Sequence, residues 1–245
     1  MKYKNLMIVG TSHIAKQSIE EIELAFQQHK PAVVAVELDR KRLHGLMSEQ
    51  KPEVNISYIR QVGLKGYLFA LIGGWLQRKL GSVVGVKPGA DMKEAVVLAQ
   101  KSKAKIALVD QDIDRTLMRF SKRLSWREKF RFIGDLFKSV FFRKKAMKEL
   151  GIDPKQLDLS KVPEKELVQK LIKQLEKRYP NVYDVLVRER NVVMANNISK
   201  LMEQFPDEPI LAVVGAGHEE ELLDMIKKRV EGKVDVVYSP TTVVG

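Results

Sequence analysis

One local pattern occurs twice in this chain. Residues 6–38 and 210–238 each read as an apolar run, a Gly-x-x-His break, an amphipathic helical stretch and a second apolar run. The first break is Gly10–His13 in MIVGTSH and the second is Gly215–His218 in AVVGAGH. A self-similar stretch of this length is one supersecondary unit used twice, so it restricts the fold more than any single motif does. AVVAVEL (32–38) is nearly continuous in apolar residues, as in a strand buried on both faces of a parallel sheet. KIALVD (105–110) is a further strand, preceded by a helix that carries Met92, Ala95, Val96 and Ala99 on one face. The alternation predicts an α/β fold with a largely parallel or mixed sheet, built from two related strand–GxxH–helix–strand halves. A single domain over 1–245 is expected, with a basic helical insertion or cap at about 116–180.

That basic character is local. The chain carries a formal net charge of +12, and between Arg119 and Glu149 there are 11 Lys/Arg against 3 Asp/Glu. The same stretch holds six of the nine Phe, together with Trp126. Trp126, Phe130, Ile133, Phe137 and Phe141 fall at helical steps, with Arg127, Arg131 and Lys138 on the other side. Such a helix either packs in the core with a solvated face or lies on an anionic membrane surface. A charge excess confined to one segment argues against a general nucleic-acid coat, so no nucleic-acid partner is expected; a homodimer contact stays open. With no cysteine, disulfide frameworks, thiolate metal sites and cysteine nucleophiles are excluded. No stretch reaches 18 apolar residues, and MKYKNLMIVG lacks the apolar core of a signal peptide. The expected location is cytoplasmic or membrane-associated, with no signal peptide or transmembrane segment in this chain.

Both Gly-x-x-His units stand where a parallel strand gives way to a helix, and open α/β sheets bind ligands at that edge. Two neutral imidazoles delivered there suit a divalent metal. Glu37, ending the second strand, completes a candidate metal set of His13, His218 and Glu37 with open positions for chemistry. The plain alternative is that each His caps its helix or bonds within the sheet edge. Asp110, Asp112 and Arg115, after the strand KIALVD, either orient those ligands or cap the next helix. Glu189 and Arg190 are either an exposed pair or groups that reach the site to bind an anion. His29 and His44 have no such context.

Several of these segments together resemble a known family. IVGTSHIAKQSIEEI, KPAVVAVELDRKRL, GVKPGADMKEAVVLAQ, ALVDQDIDRTLMR, RERNVVMANNI and VVGAGHEEEL are similar, in order, to the TraB/PrgY/GumN family, related to the animal Tiki proteins. The resemblance implies a divalent-metal-dependent hydrolase or peptidase, with Mn or Co as the ion. It further implies a peptide substrate, a signalling peptide in the pheromone-shutdown members. The alternative is a protein that sequesters such a peptide without cutting it, or binds at the membrane periphery. The motif residues carried over by position are His13, Glu37, Arg190 and His218, with Glu189 and Asn191 beside them. Arg188 and Asp91 depart from the pattern, in which an acidic residue and Glu are frequent.

Overall fold

The computed structural model describes residues 1–11, 16–48, 59–64, 67–68, 71, 89–128, 130–131, 135, 165–232 and 242–244. The strands are β1 (Lys2–Tyr3), β2 (Leu6–Thr11), β3 (Val33–Val36), β4 (Lys105–Leu108), β5 (Ile210–Gly215) and β6 (Thr242–Val244). They form one mixed sheet in the order β1-β2-β5-β3-β4-β6. The four central strands are parallel, and the short flanking strands β1 and β6 pair antiparallel at the edges. The expected α/β fold is therefore present, with a mixed sheet. The apolar run at 233–238, the predicted closing strand of the second unit, lies outside the described residues.

The helices are α1 (Lys16–His29), α2 (Arg40–Ser48), α3 (Ala90–Lys101), α4 (Ile113–Arg123), α5 (Lys165–Arg178), α6 (Pro180–Tyr183), α7 (Glu189–Gln204) and α8 (Glu219–Val230). Between α6 and α7 the helix widens into a π turn over Asp184–Arg188. Alternate strand residues feed two separate cores, as a period of two requires. Val34, Val36, Leu211 and Val213 pack with Ile22, Ala25 and Phe26 of α1 and Met92, Ala95, Val96 and Ala99 of α3. Ala35, Ile210, Ala212 and Val214 face the other way, against Met194, Ala195 and Ile198 of α7 and Leu222 and Ile226 of α8.

This layering fixes where a ligand crevice forms. β2 and β5 are hydrogen-bonded neighbours, with Gly10 opposite Val214 and Thr11 opposite Gly215. Yet the helix after β2 covers one face, whereas the helix after β5 covers the other. Neighbouring parallel strands whose helices part in this way define a topological switch point, and the gap lies beyond their carboxyl ends. The two Gly-x-x-His units begin there. The Ala216 amide donates to the Thr11 carbonyl at 2.7 Å, so the turn after β5 touches the end of β2. A Cβ on Gly10 would lie 3.1 Å from the Ala216 Cα and 3.0 Å from Glu219 Oε2, a crowding that glycine avoids.

The basic segment is described only in part. α4 runs through residue 116 and buries Leu117 and Phe120. A new helical turn starts at Ser125, whose hydroxyl accepts from the Glu128 amide at 3.2 Å while Glu128 Oε2 accepts from the Ser125 amide at 3.1 Å. This reciprocal cap is tied further to Asn181, whose amide donates to Glu128 Oε1 at 2.9 Å. Trp126 and Phe130 then stand 71% and 69% exposed, their rings 6.2 Å apart. Ile133, Phe137 and Phe141 lie outside the described residues.

Candidate functional site

β3 ends at Val36, and its ladder continues one step: the Glu37 amide donates to Val213 O at 3.1 Å. That bond directs the Glu37 side chain to the carboxyl edge of the sheet, where it is buried. Glu37 Oε2 accepts from the Gly215 amide at 2.5 Å, so the turn after β5 is held by the carboxylate that follows β3. Glu37 Oε1 pairs with Arg190 Nη2 and lies 3.6 Å from His218 Nε2.

His218 occupies the N-cap position of α8 but makes no side-chain cap. Its ring turns inward. Nδ1 lies 2.6 Å from Asn191 Oδ1, and Asn191 Nδ2 donates to Glu221 Oε2 at 2.8 Å. The carboxylate only accepts, so it fixes which end of the Asn191 amide faces the ring, and the carbonyl end can only accept. His218 therefore carries its proton on Nδ1 and turns the Nε2 lone pair toward Glu37 and Arg190. Tyr183 donates to the same Glu221 oxygen at 2.9 Å. Burial, then the bond to Glu221, pushes the Tyr183 hydroxyl up to about 12, so it stays a donor.

Arg190 enters from the first turn of α7 with its side chain mostly buried. Nε lies 3.1 and 3.2 Å from the two Asp110 oxygens, and Nη2 lies 2.6 Å from Oδ2. Nη1 donates to the Leu186 carbonyl at 3.2 Å and sits 3.2 Å from His218 Nε2. Leu186 belongs to the π turn, a widened helical register often found beside functional groups. Asp110 also accepts from Arg42 Nη2 and from the Gln111 amide at 2.7 Å. Burial alone would raise the Asp110 carboxyl, but Arg190 and Arg42 outweigh it and hold it below the usual carboxylate range. Glu37 and Asp110 together outweigh burial at Arg190 and raise the guanidinium further.

The structure thus brings Glu37, Arg190 and His218 together, with Asp110 and Asn191 beside them. His13 and its side chain lie outside the described residues. Glu189, adjacent to Arg190, turns the other way: it binds Arg119 at 2.5 and 2.6 Å and approaches Arg123 at 3.5 Å. Asp112 caps α4, accepting from the Asp114 and Arg115 amides at 2.9 and 3.3 Å. Arg42 was not singled out by sequence, although Asp39, three residues earlier, holds its Nε at 2.9 Å. Tyr183 and Glu221 were missed as well; the His218-x-x-Glu221 spacing, one helical turn, was the available signal. Among the described residues no group of three or more His, Asp or Glu is placed to hold a metal ion. Nor, among them, is any helix long and apolar enough to cross a membrane.

A switch-point α/β sheet whose crevice holds a carboxylate, an imidazole and a buried guanidinium defines the class. The family model for the TraB/PrgY/gumN family matches residues 2–229, and the chain belongs to that family. An uncharacterized protein of Methanocaldococcus jannaschii is 34% identical over 231 residues, covering 93% of this chain and 55% of that protein. TraB domain-containing proteins of Mus musculus and Homo sapiens are each 23% identical over 235 residues, covering 86% of this chain and 60% of theirs. The chain thus spans little more than half the length of these relatives.

Proposed function

We propose that the crevice is the active centre of a divalent-metal-dependent hydrolase that cuts peptides. The observation that carries this reading is the buried Glu37–His218 pair at the switch point, with Nε2 and Oε1 separated by 3.6 Å. Ligand atoms about 2.1 Å from a shared ion lie no more than about 4.2 Å apart, so this separation suits one cation. The fixed tautomer fits as well, since a metal-binding imidazole commonly donates its other N–H to an oxygen. His218 and Glu37, with His13 as the further ligand that the sequence motif suggests, would hold Mn or Co. The bound ion would polarise the scissile carbonyl and acidify a water.

The remaining residues act by position and charge. Asn191 keeps the His218 ring oriented, and Glu221 with Tyr183 keeps Asn191 oriented. Asp110 and Arg42 hold Arg190 beside the crevice, where its charge favours an oxygen that becomes negative in the transition state. The decisive measurement is cleavage of a mixed peptide library by the purified chain, with Mn²⁺ or Co²⁺ against chelator. Cleavage that needs the ion and disappears in His13→Ala and in His218→Ala is expected. Peptide binding without cleavage under every ion would favour a sequestering protein instead.

A surface role is supported by the exposed Trp126–Phe130 pair beside Arg127 and Arg131, a composition suited to an anionic bilayer surface. Co-sedimentation with phosphatidylserine vesicles should fall when Arg127 and Arg131 become Gln, by about 1 kcal/mol per charge. Equal partitioning of the variant would leave the pair as a packing surface.

A further inference from the structure

All five N–H groups of Arg190 have acceptors, and those acceptors are of two kinds. Asp110 takes Nε and one Nη2–H, and the Leu186 carbonyl takes one Nη1–H. The other two donors go to Glu37 Oε1 and His218 Nε2. These last two atoms are the ones the preceding reading assigns to a cation. An imidazole nitrogen offers one lone pair, so a metal ion on His218 Nε2 and the Nη1–H bond exclude each other.

We propose that Arg190 is a resident counter-cation that exchanges with the divalent ion. Without metal, the guanidinium bridges Glu37 and His218 and neutralises the buried carboxylate. On loading, Nη1 leaves Nε2 and the bond to Glu37 is given up. Asp110, itself pinned by Arg42 and the Gln111 amide, keeps its hydrogen bonds to Nε and Nη2 and acts as the pivot on which the planar guanidinium tilts away from Glu37 and His218. The exchange would free one N–H on each terminal nitrogen to donate to a carbonyl or carboxylate oxygen of the substrate. The same residue then stabilises the empty centre and binds substrate in the loaded one. This inference rests on the reading of Glu37 and His218 as ligands.

The test uses the whole chain and has a readout independent of turnover. In protein labelled with ¹⁵N at Arg and His, Zn²⁺ serves as a diamagnetic probe. The His218 Nε2 resonance should move on coordination, and the Arg190 Nη resonances should move with it. The Arg190 Nε–H signal should stay, because Asp110 retains it. Zn²⁺ on His218 with unmoved Arg190 Nη signals would overturn the exchange and leave the metal centre standing. No shift at His218 with Zn²⁺, nor any Mn²⁺ or Co²⁺ binding by calorimetry, would overturn both. As a second arm, Arg190→Gln should bind Mn²⁺ about tenfold more tightly, a typical size for two coupled occupants. Mn²⁺ should also raise its Tm by more than that of the wild type. Weaker Mn²⁺ binding by a folded Arg190→Gln, or by Arg190→Lys if Gln does not fold, would count against exchange.

Discussion

On one face of the sheet, α1 and α3 present Ile22, Ala25, Met92, Ala95, Val96 and Ala99 to the strands. On the other, α7 presents Met194, Ala195 and Ile198, but it also buries Asn191, Asn196, Asn197 and Ser199 and reaches the crevice with Arg190. Both layers do the same work against the strands, so their apolar parts are alike. They differ at the carboxyl edge: α3 buries Asp91 in its first turn, whereas α7 brings Arg190 into the crevice among Asp110, Glu37 and His218. A buried charge is expensive unless paired and hydrogen-bonded. α7 can carry Arg190 because Asp110 and Glu37, from the ends of β4 and β3, supply the compensation. The dry face is held by area, and the crevice face is held by matched partners as well.

Breaking that match should have the largest effect. Arg190→Met leaves Glu37 buried without its cation and Asp110 with Arg42 alone, and should cost about 3–5 kcal/mol of stability. Urea unfolding would measure it; a loss below about 1 kcal/mol would mean that the cluster is solvated and not paired.

Acid should undo the same match reversibly. The Asp110 carboxyl is held below its unfolded value by Arg190 and Arg42 against the opposing effect of burial. The folded state therefore binds protons less readily than the unfolded one, and stability is full above the unfolded pKa. It should decline as pH falls below about 4, through the depressed Asp110 value. Stability of Arg190→Met should fall less steeply over that range, because one source of the depression is gone. Identical slopes would remove the Arg190–Asp110 pair from the explanation.

A smaller effect, seen in function more than in stability, is expected from Asn191→Ala. The His218 ring loses the oxygen that fixes its tautomer, and metal affinity or turnover should drop about 10- to 100-fold. Unchanged kinetics would mean that Glu221 or a water replaces the amide.

These contrasts were unequally visible in the sequence. Strands such as Val33–Val36 and Ile210–Gly215 were legible because residues buried on both faces are apolar without interruption. Glu37 was legible because it follows such a run directly, and His218 because its Gly-x-x-His spacing repeats that of Gly10–His13. Asp110 was legible only as one of two alternatives, and the other supporting residues were not legible. Arg42, Tyr183 and Glu221 meet the site from three separate elements, and no local period records a contact across 80 residues such as that of Arg190 with Asp110. The π turn was also hidden, since DVLVR has no residue that distinguishes a widened turn from an ordinary one. The edge strand Thr242–Val244 is three residues long and carries no alternation to read.

The smallest expected effect tests whether the two faces really differ only at the edge. Ile22 on α1 and Ile226 on α8 are both fully buried, one in each layer, and both lie away from the charged cluster. Replacing either with Val removes one methylene group and leaves a small cavity, at about 0.5–1.5 kcal/mol. For a chain of this length that is a Tm lower by about 2–4 °C per kcal/mol. The two losses should agree within about 0.5 kcal/mol and should add in the double variant, because the sheet separates the sites. Neither change should alter metal affinity. A loss at Ile226 well above that at Ile22, or one that weakens metal binding, would mean that packing under α8 and the His218 turn form one cooperative unit. The apolar and charged parts of that face would then no longer be separable.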